Sequence, residues 1–420
     1  MTQTQNGAVS GWTLHRLGGV QPGVVLHVPH ASRAIPGDVR TAILLDDAAL
    51  DAELAAMTDR HTDRLALSGA LLAEVPTALF VNRWSRLVVD PERFADDALE
   101  QMASIGMGAV YRSTSQLAPL REPDTDAQRR LVGRFFDPYA DAFADLVDQM
   151  LDAVGHAIII DVHSYPSRPL PYEREPNAAR PEICLGTDLV HTTPELLDAA
   201  TKAFAGFDVG HNTPFAGTYV ALRHYQRDPR VWSIMVEARR DTYLDEDTGT
   251  LHDGFDRLVG ALAGLVRSSH ELCHRGGAVD HRPPEVPAGL RRTYVQTVVS
   301  VDGDNGRLSA HAAVEQLGEP LYIITAANPF GTMLSEDDNR ARHESLGDVL
   351  IASGCRPYPA VGSSPDGNWS EESWAVTGIG SATARRIGRA FEQNAVFELS
   401  GYTQRVLGCF GDWAVERQID

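Results

Sequence analysis

A chain of 420 residues is too long for one ordinary hydrophobic core and implies two domains. With 43% hydrophobic and 22% charged residues, 36 Gly and 24 Pro, its composition is globular and excludes a fibrous or disordered chain. A formal charge of -20, from 57 acidic against 37 basic residues, argues against nucleic acid or a membrane surface as partner, because phosphates would be repelled.

Residues 1–7 are polar and lack the basic and apolar parts of a secretory signal. No apolar stretch approaches the roughly 20 residues that cross a bilayer, so a cytoplasmic protein is expected. Residues 24–28 form a short apolar, β-branched run, the pattern of a buried strand, and it delivers Pro29 and His30 at its C-terminal end. Between 50 and 72 apolar residues recur at helical spacing, interrupted by Thr58-Asp59-Arg60-His61-Thr62-Asp63. Residues 77–81 read as a strand, followed by a charged loop and a further strand that ends at Asp90. The three- and four-residue apolar spacing from 129 to 154 predicts one long amphipathic helix. Two more buried strands follow, 157–162 ending in His163 and 231–236 ending in Glu237. Residues 275–290, rich in Gly, Pro and charge, mark a linker, so the domains are placed at 1–280 and 291–420. Beyond it, strands are expected at 294–301, 321–326 and 372–376, with helices at 339–350 and 384–393. Cys184, Cys273, Cys355 and Cys409 lie far apart, without a Cys-x-x-Cys pair, and read as reduced structural thiols.

Open α/β sheets bind ligands beyond the carboxyl ends of their strands, so His30 and His163 are candidates to meet there. Imidazole and carboxylate are common donors to catalytic zinc, which keeps one position for water, and one zinc with one carboxylate can activate water, polarise a carbonyl and protonate a leaving amine. Asp161, two residues before His163 on the same strand face, could hold that imidazole in place; a loop-capping carboxylate is its other reading.

Six segments in order carry a family resemblance: Val28-Pro29-His30-Ala31-Ser32, Thr58-Asp59-Arg60-His61-Thr62-Asp63, Ser85-Arg86-Leu87-Val88-Val89-Asp90, Asp161-Val162-His163-Ser164, His211-Asn212-Thr213-Pro214-Phe215 and Glu237-Ala238-Arg239-Arg240-Asp241-Thr242-Tyr243. Over about residues 20–270 the chain resembles the N-formylglutamate amidohydrolase family. The resemblance implies an α/β, three-layer α/β/α fold of zinc-carboxypeptidase type, with a mixed sheet and a second, smaller α/β domain. It also implies zinc-dependent cleavage of the amide bond of an N-acyl amino acid such as N-formylglutamate. Glu237 falls where such enzymes carry their general base, with an ion pair to Arg239 or Arg240 as the alternative. The His-x-x-Glu zinc pair is absent, since Arg33 stands three residues after His30. Asp59 is the third ligand that the resemblance offers, with His61 and Asp63 as competitors and a solvated helix face as the plain reading of all three.

A substrate carboxylate calls for a planar guanidinium. Arg86 leads, followed by Arg223, Arg239 and Arg240, any of which could instead pair with Asp90, Asp241 or Asp245. Asn212 could orient the substrate amide or simply form a turn. Family members of the histidine-degradation branch show Asp-x-Asn-Arg-Asp-Pro where this chain has Asp90-Pro91-Glu92-Arg93-Phe94, which puts the substrate more in doubt than the chemistry. A peptidase, a deacylase for another acyl amino acid, and an inactive binding module are the alternatives. The part from about residue 291 resembles an uncharacterised small domain family and is expected to be an accessory module. The sequence gives no oligomeric state.

Overall fold

The computed structural model describes residues 11–19, 21–274, 286–303 and 306–419. The N-terminal part begins with β1 (Trp12–Leu17), β2 (Val24–Val28), a single turn α1 (Gly37–Arg40), α2 (Asp47–Met57), α3 (Thr62–Ala73) and β3 (Thr77–Asn82). It continues with α4 (Thr125–Leu131), α5 (Asp137–Val154), β4 (Ala157–Tyr165), β5 (Ile183–Gly186), α6 (Pro194–Ala203), β6 (Val209–His211), β7 (Val231–Arg239) and α7 (Gly254–Cys273). Its seven strands form one mixed sheet in the order β1-β3-β2-β4-β7-β5-β6. β2 pairs parallel with β3 and β4, β4 pairs parallel with β7, and β1 and β5 join antiparallel.

The central strands are apolar throughout because both faces are covered, which is why they read as continuous runs. Alternation along each strand assigns the faces. Val24, Leu26 and Val28 of β2 and Ile158, Ile160 and Val162 of β4 pack under α3, α6 and α7. Val25, Ala157, Ile159 and Val231 pack under Tyr139, Phe143 and Val147 of α5. Truncating a fully buried ring such as Phe143 to Ala costs about 3–5 kcal/mol in sites of this kind. The same alternation continues along each strand, so His27, Asp161, His163 and Glu237 share the α5 face. That face carries the chemistry.

The long helix expected at 129–154 is interrupted by a π-helical turn at residues 132–136, where Phe135 and Phe136 are both buried. Gly155 ends α5 in the left-handed region, φ 84°, with its N–H on Leu151 O. The strand expected before Asp90 is not formed. Leu87, Val88 and Val89 are buried, but in a turn pinned by Val88 N–H to Ser85 O and Asp90 N–H to Ala109 O, so β-branched residues there serve loop packing.

The C-terminal part comprises α8 (Ala288–Gln296), β8 (Val298–Gly303), β9 (Gly306–Ser309), α9 (Ala310–Leu317), β10 (Leu321–Ile324), α10 (Glu336–Ala352), β11 (Tyr358–Ser363), β12 (Ser370–Val376), α11 (Ser381–Ala390), β13 (Ala395–Ser400), β14 (Thr403–Gly408) and β15 (Ala414–Gln418). Its eight strands run in the order β15-β14-β13-β10-β12-β11-β8-β9 and pair antiparallel throughout. The strand expected from residue 294 starts at Val298 instead. Tyr294 lies on α8, which Pro287 opens, and its hydroxyl accepts a hydrogen bond from Asn394 Nδ2 at 3.0 Å. Of the linker expected at 275–290, residues 275–285 lie outside the described residues.

The two sheets share one core. Leu346, Val349 and Leu350 of α10 and Ile387 of α11 belong to the same buried cluster as Leu65 of α3. The seam is also bonded: Gly18 N–H donates to Ala390 O at 2.9 Å, His15 Nδ1 meets Ser345 Oγ at 3.2 Å, and Arg389 pairs with Glu74. No helix among the described residues is long and apolar enough to cross a membrane.

Candidate active site

The carboxyl ends of β2, β4 and β7 open into a cleft of about 590 Å³ whose lining includes His30, Asp59, Arg86, Glu92, Arg93, Asp161, His163, Asn212, Glu237 and Arg240. Strand register sets part of this arrangement directly: His27 is the Cα partner of Asp161, and His163 that of Glu237. Asp59 arrives by a different route. Extended Thr58 ends α2, and the turn before α3 is closed by Asp59 N–H to His30 O at 3.0 Å and Thr62 Oγ1 to Asp59 O at 2.8 Å. The aspartate therefore sits in the turn between two helices rather than at a helix start.

His30 Nδ1 and His163 Nδ1 are 3.2 Å apart, and Asp59 Oδ2 lies 3.1 Å from the latter and 3.7 Å from the former. Behind this triangle each imidazole presents its Nε2 to a carboxylate: His30 to Asp90 Oδ1 at 2.9 Å, His163 to Asp161 Oδ1 at 3.1 Å. Glu92 also reaches both rings, 3.2 Å from His163 Nε2 and 3.6 Å from His30 Nε2. Among the described residues, two groups that include Glu92 have donor atoms close enough to hold a metal ion: His30 with Glu92 and His163, and His27 with Glu92 and Asp161.

Among the described residues that line this space, seven carboxylates (Asp59, Glu92, Glu100, Asp161, Glu173, Glu175, Glu237) face four guanidiniums (Arg86, Arg93, Arg174, Arg240), and Asp90 lies buried behind them. With neutral imidazoles the balance is negative. Burial alone would raise the carboxyl of Asp59, but hydrogen bonds to His163 and His30 hold it below the ordinary range. The same opposition, with Arg86 and His30 outweighing burial, holds Asp90 low. Burial likewise disfavours charge on His163, yet Glu92 and Asp161 raise its pKa. Glu237 behaves differently. Burial pushes its carboxyl up to about 7, with repulsion from Asp59 adding to the shift and His163 opposing it. Its Oε2 is buried without a hydrogen-bond partner among the described residues. A carboxyl in that state can take and release a proton near neutral pH.

His61 and Asp63 do not reach the cleft. His61 Nε2 meets Gly249 O at 2.9 Å, and Asp63 accepts the Arg64 N–H at 2.8 Å. Arg86 lines the cleft but bonds Asp90 Oδ2 at 2.8 Å and Tyr111 at 3.1 Å. Arg240 lines it too, held by Ala56 O at 2.8 Å and near Asp59 Oδ1 at 3.4 Å. Asn212 stands at the rim in the left-handed region, φ 52°, and its amide bonds Thr187 N–H at 2.9 Å and Thr187 Oγ1 at 2.7 Å, which favours the turn-forming reading.

Arg223 is not brought to the site: it points at the acidic face of α5, with Asp145 at 2.8 Å and Asp148 at 2.5 Å. Arg239 pairs with Asp241 at 2.6 Å, also away from the cleft lining. Sequence reasoning missed His27, hidden inside an apolar run, as well as Asp90 and Glu92 as partners of the histidines. A polar residue in an otherwise buried run was the signal for His27. For Glu92, in an irregular turn, the departure from the family's motif was the sole hint.

Comparison with known proteins agrees with the N-terminal architecture. In the solved structures, an N-formylglutamate amidohydrolase from Ralstonia eutropha JMP134 matches at 22% identity and a TM-score of 0.51, covering 64% of this chain and 100% of its own. The gene product Atu2144 from Agrobacterium tumefaciens matches at 18% identity and a TM-score of 0.45, covering 62% of this chain and 94% of its own. No curated protein matches the chain. The family model of a protein of unknown function (DUF3293) matches residues 324–396, within the C-terminal sheet. The model of the N-formylglutamate amidohydrolase family matches residues 23–244, which contain β2 to β7 and every group of the cleft discussed above, and the chain belongs to that family.

Proposed function

We propose that this hydrolase is zinc-dependent and cleaves the amide bond of an N-acyl amino acid, N-formylglutamate being the reference substrate. The observation that carries the reading is the triangle of His30 Nδ1, His163 Nδ1 and Asp59 Oδ2, with Glu237, whose Oε2 has no hydrogen-bond partner among the described residues, in the same cleft. A tetrahedral zinc with bonds near 2.0–2.1 Å needs donors separated by roughly 3.3–3.4 Å, and the observed 3.1, 3.2 and 3.7 Å bracket that value. The Nε2–carboxylate contacts supply the outer partners that zinc-binding histidines ordinarily have, and a dication offsets the local excess of acid. Glu92 is the competing donor, on the Nε2 side of both rings.

Zinc held there by His30, His163 and Asp59 would supply Lewis acidity toward the acyl carbonyl and the attacking water. The protein's own groups do the rest. Glu237 takes the proton of that water and hands it to the departing nitrogen, a task suited to a buried carboxylate whose Oε2 has no hydrogen-bond partner among the described residues. Arg86, Arg93 and Arg240 face the cleft and offer charge-assisted hydrogen bonds to the carboxylates of an acyl amino acid.

A second reading, a deacylase for a different acyl amino acid or a peptidase, is favoured by one observation: Glu92 and Phe94 line the cleft where the family's motif differs. A panel of formyl, acetyl and succinyl amino acids with short peptides decides between them. Highest kcat/KM on N-formylglutamate supports the first reading; a peptide or larger acyl group preferred tenfold or more, about 1.4 kcal/mol in transition-state binding, supports the second. No turnover on the panel by zinc-loaded protein would contradict both.

A further inference from the structure

His27 is fully buried next to the cleft and does not line it. It is 0% exposed, enclosed by Phe143 at 4.7 Å and stacked on Tyr219 at 4.5 Å between ring centroids. A buried imidazole in such a layer needs both nitrogens bonded. Nδ1 meets Asp161 Oδ1 at 2.8 Å and Nε2 meets the Tyr139 hydroxyl at 2.7 Å.

Proton accounting fixes the donors around His27. An ionised Asp161 only accepts, so His27 must present Nδ1–H to it, which leaves Nε2 as the acceptor of the Tyr139 hydroxyl. Asp161 Oδ2 takes the Tyr219 N–H at 3.2 Å, and Oδ1 also stands 3.1 Å from His163 Nε2. Three donors converge on one carboxylate, and one of them comes from the His27 ring, which is packed against Phe143 and Tyr219.

We infer that His27 is a positioning residue for the metal centre: through Asp161 it fixes the orientation and tautomer of His163, so that Nδ1 of His163 is directed toward His30 and Asp59. The inference rests on the zinc reading proposed above. Without His27, the Asp161 carboxylate keeps one protein donor besides His163 and is free to rotate, and the His163 ring is left with the partly exposed Glu92 as its other Nε2 partner. Outer partners of this kind are worth about 10- to 100-fold in metal affinity. Tyr139 contributes at one further remove, by holding the His27 tautomer.

The test is zinc affinity, measured by competition with a chromophoric chelator, on full-length protein, with folding checked by circular dichroism. His27→Phe keeps the ring shape without the donor and is expected to weaken zinc binding about 10- to 100-fold. His27→Asn places an amide N–H close to the Nδ1 position and is expected to stay within about threefold of wild type, since the donor to Asp161 survives. A folded His27→Phe protein that binds zinc as tightly as wild type would overturn the inference, as would an Asn variant as weak as the Phe variant. Should the Phe variant not fold, His27→Leu, which also removes the donor to Asp161, replaces it: a tenfold or greater loss of affinity supports the inference and an unchanged affinity overturns it. Wild-type protein that takes up no zinc would instead contradict the proposed function, so the two failures are told apart.

Discussion

At the scale of single residues, the cleft divides into groups that touch one another on the Nδ1 side of two histidines and groups that brace them from the Nε2 side. The division makes distinct predictions. Asp59→Ala is expected to lose zinc, while His61→Ala and Asp63→Ala, which reach neither histidine, keep it; metal analysis of the three proteins reads this directly. If Glu92→Ala lost the metal and Asp59→Ala retained it, the Nε2-side group would be the site. Glu237→Gln is expected to bind zinc normally and to lose about 10²–10⁴-fold in kcat, the range typical of an absent general base. His30, His163, Asp161 and Glu237 were legible in the sequence because each stands at or just past the end of an apolar run, and alternation fixes the face of those inside a strand. Glu92 and Asp90 were not, because an irregular turn has no periodicity from which to read direction. Arg223 was misjudged for a related reason: its acidic partners lie on α5, far away in sequence, and nothing local announces them.

At the scale of elements, β2, β3, β4 and β7 and the helices α2, α3 and α5 were readable from spacing alone. The exceptions are physical. β-branched residues 87–89 are buried by loop packing, and the π-helical turn at 132–136 rearranges an otherwise regular apolar face. The contact between β1 and α10 could not be foreseen at all, since it joins residues 330 positions apart. It predicts a pH effect. Burial pushes the imidazole of His15 from 6.5 down to about 4. A histidine whose folded value is depressed lends stability that is complete above the unfolded value and is lost as pH falls from about 6.5 through about 4. Thermal melts across that window should therefore show falling stability in wild type and a flatter profile in His15→Gln. Equal slopes in the two proteins would show that His15 does not report on this seam.

For the molecule as a whole, the shared core between the two sheets argues that the C-terminal part is more than a tethered module. Composition and the Gly- and Pro-rich stretch pointed to separate domains, and the seam of Gly18, His15 and Arg389 was invisible to that reasoning. Calorimetry is expected to give one cooperative unfolding transition, and Leu350→Ala on α10 to lower it by about 2–5 kcal/mol as a unit. Two separated transitions, with the variant moving just one of them, would indicate independent domains.

The account turns on metal-assisted hydrolysis at the ends of β2, β4 and β7. Its most direct test is the rate of formate release from N-formylglutamate by chelator-stripped protein as zinc is added back. Activity absent at the start, rising with added zinc and saturating near one ion per chain is the predicted result. Full activity in the stripped protein, or none after zinc is restored, would contradict it.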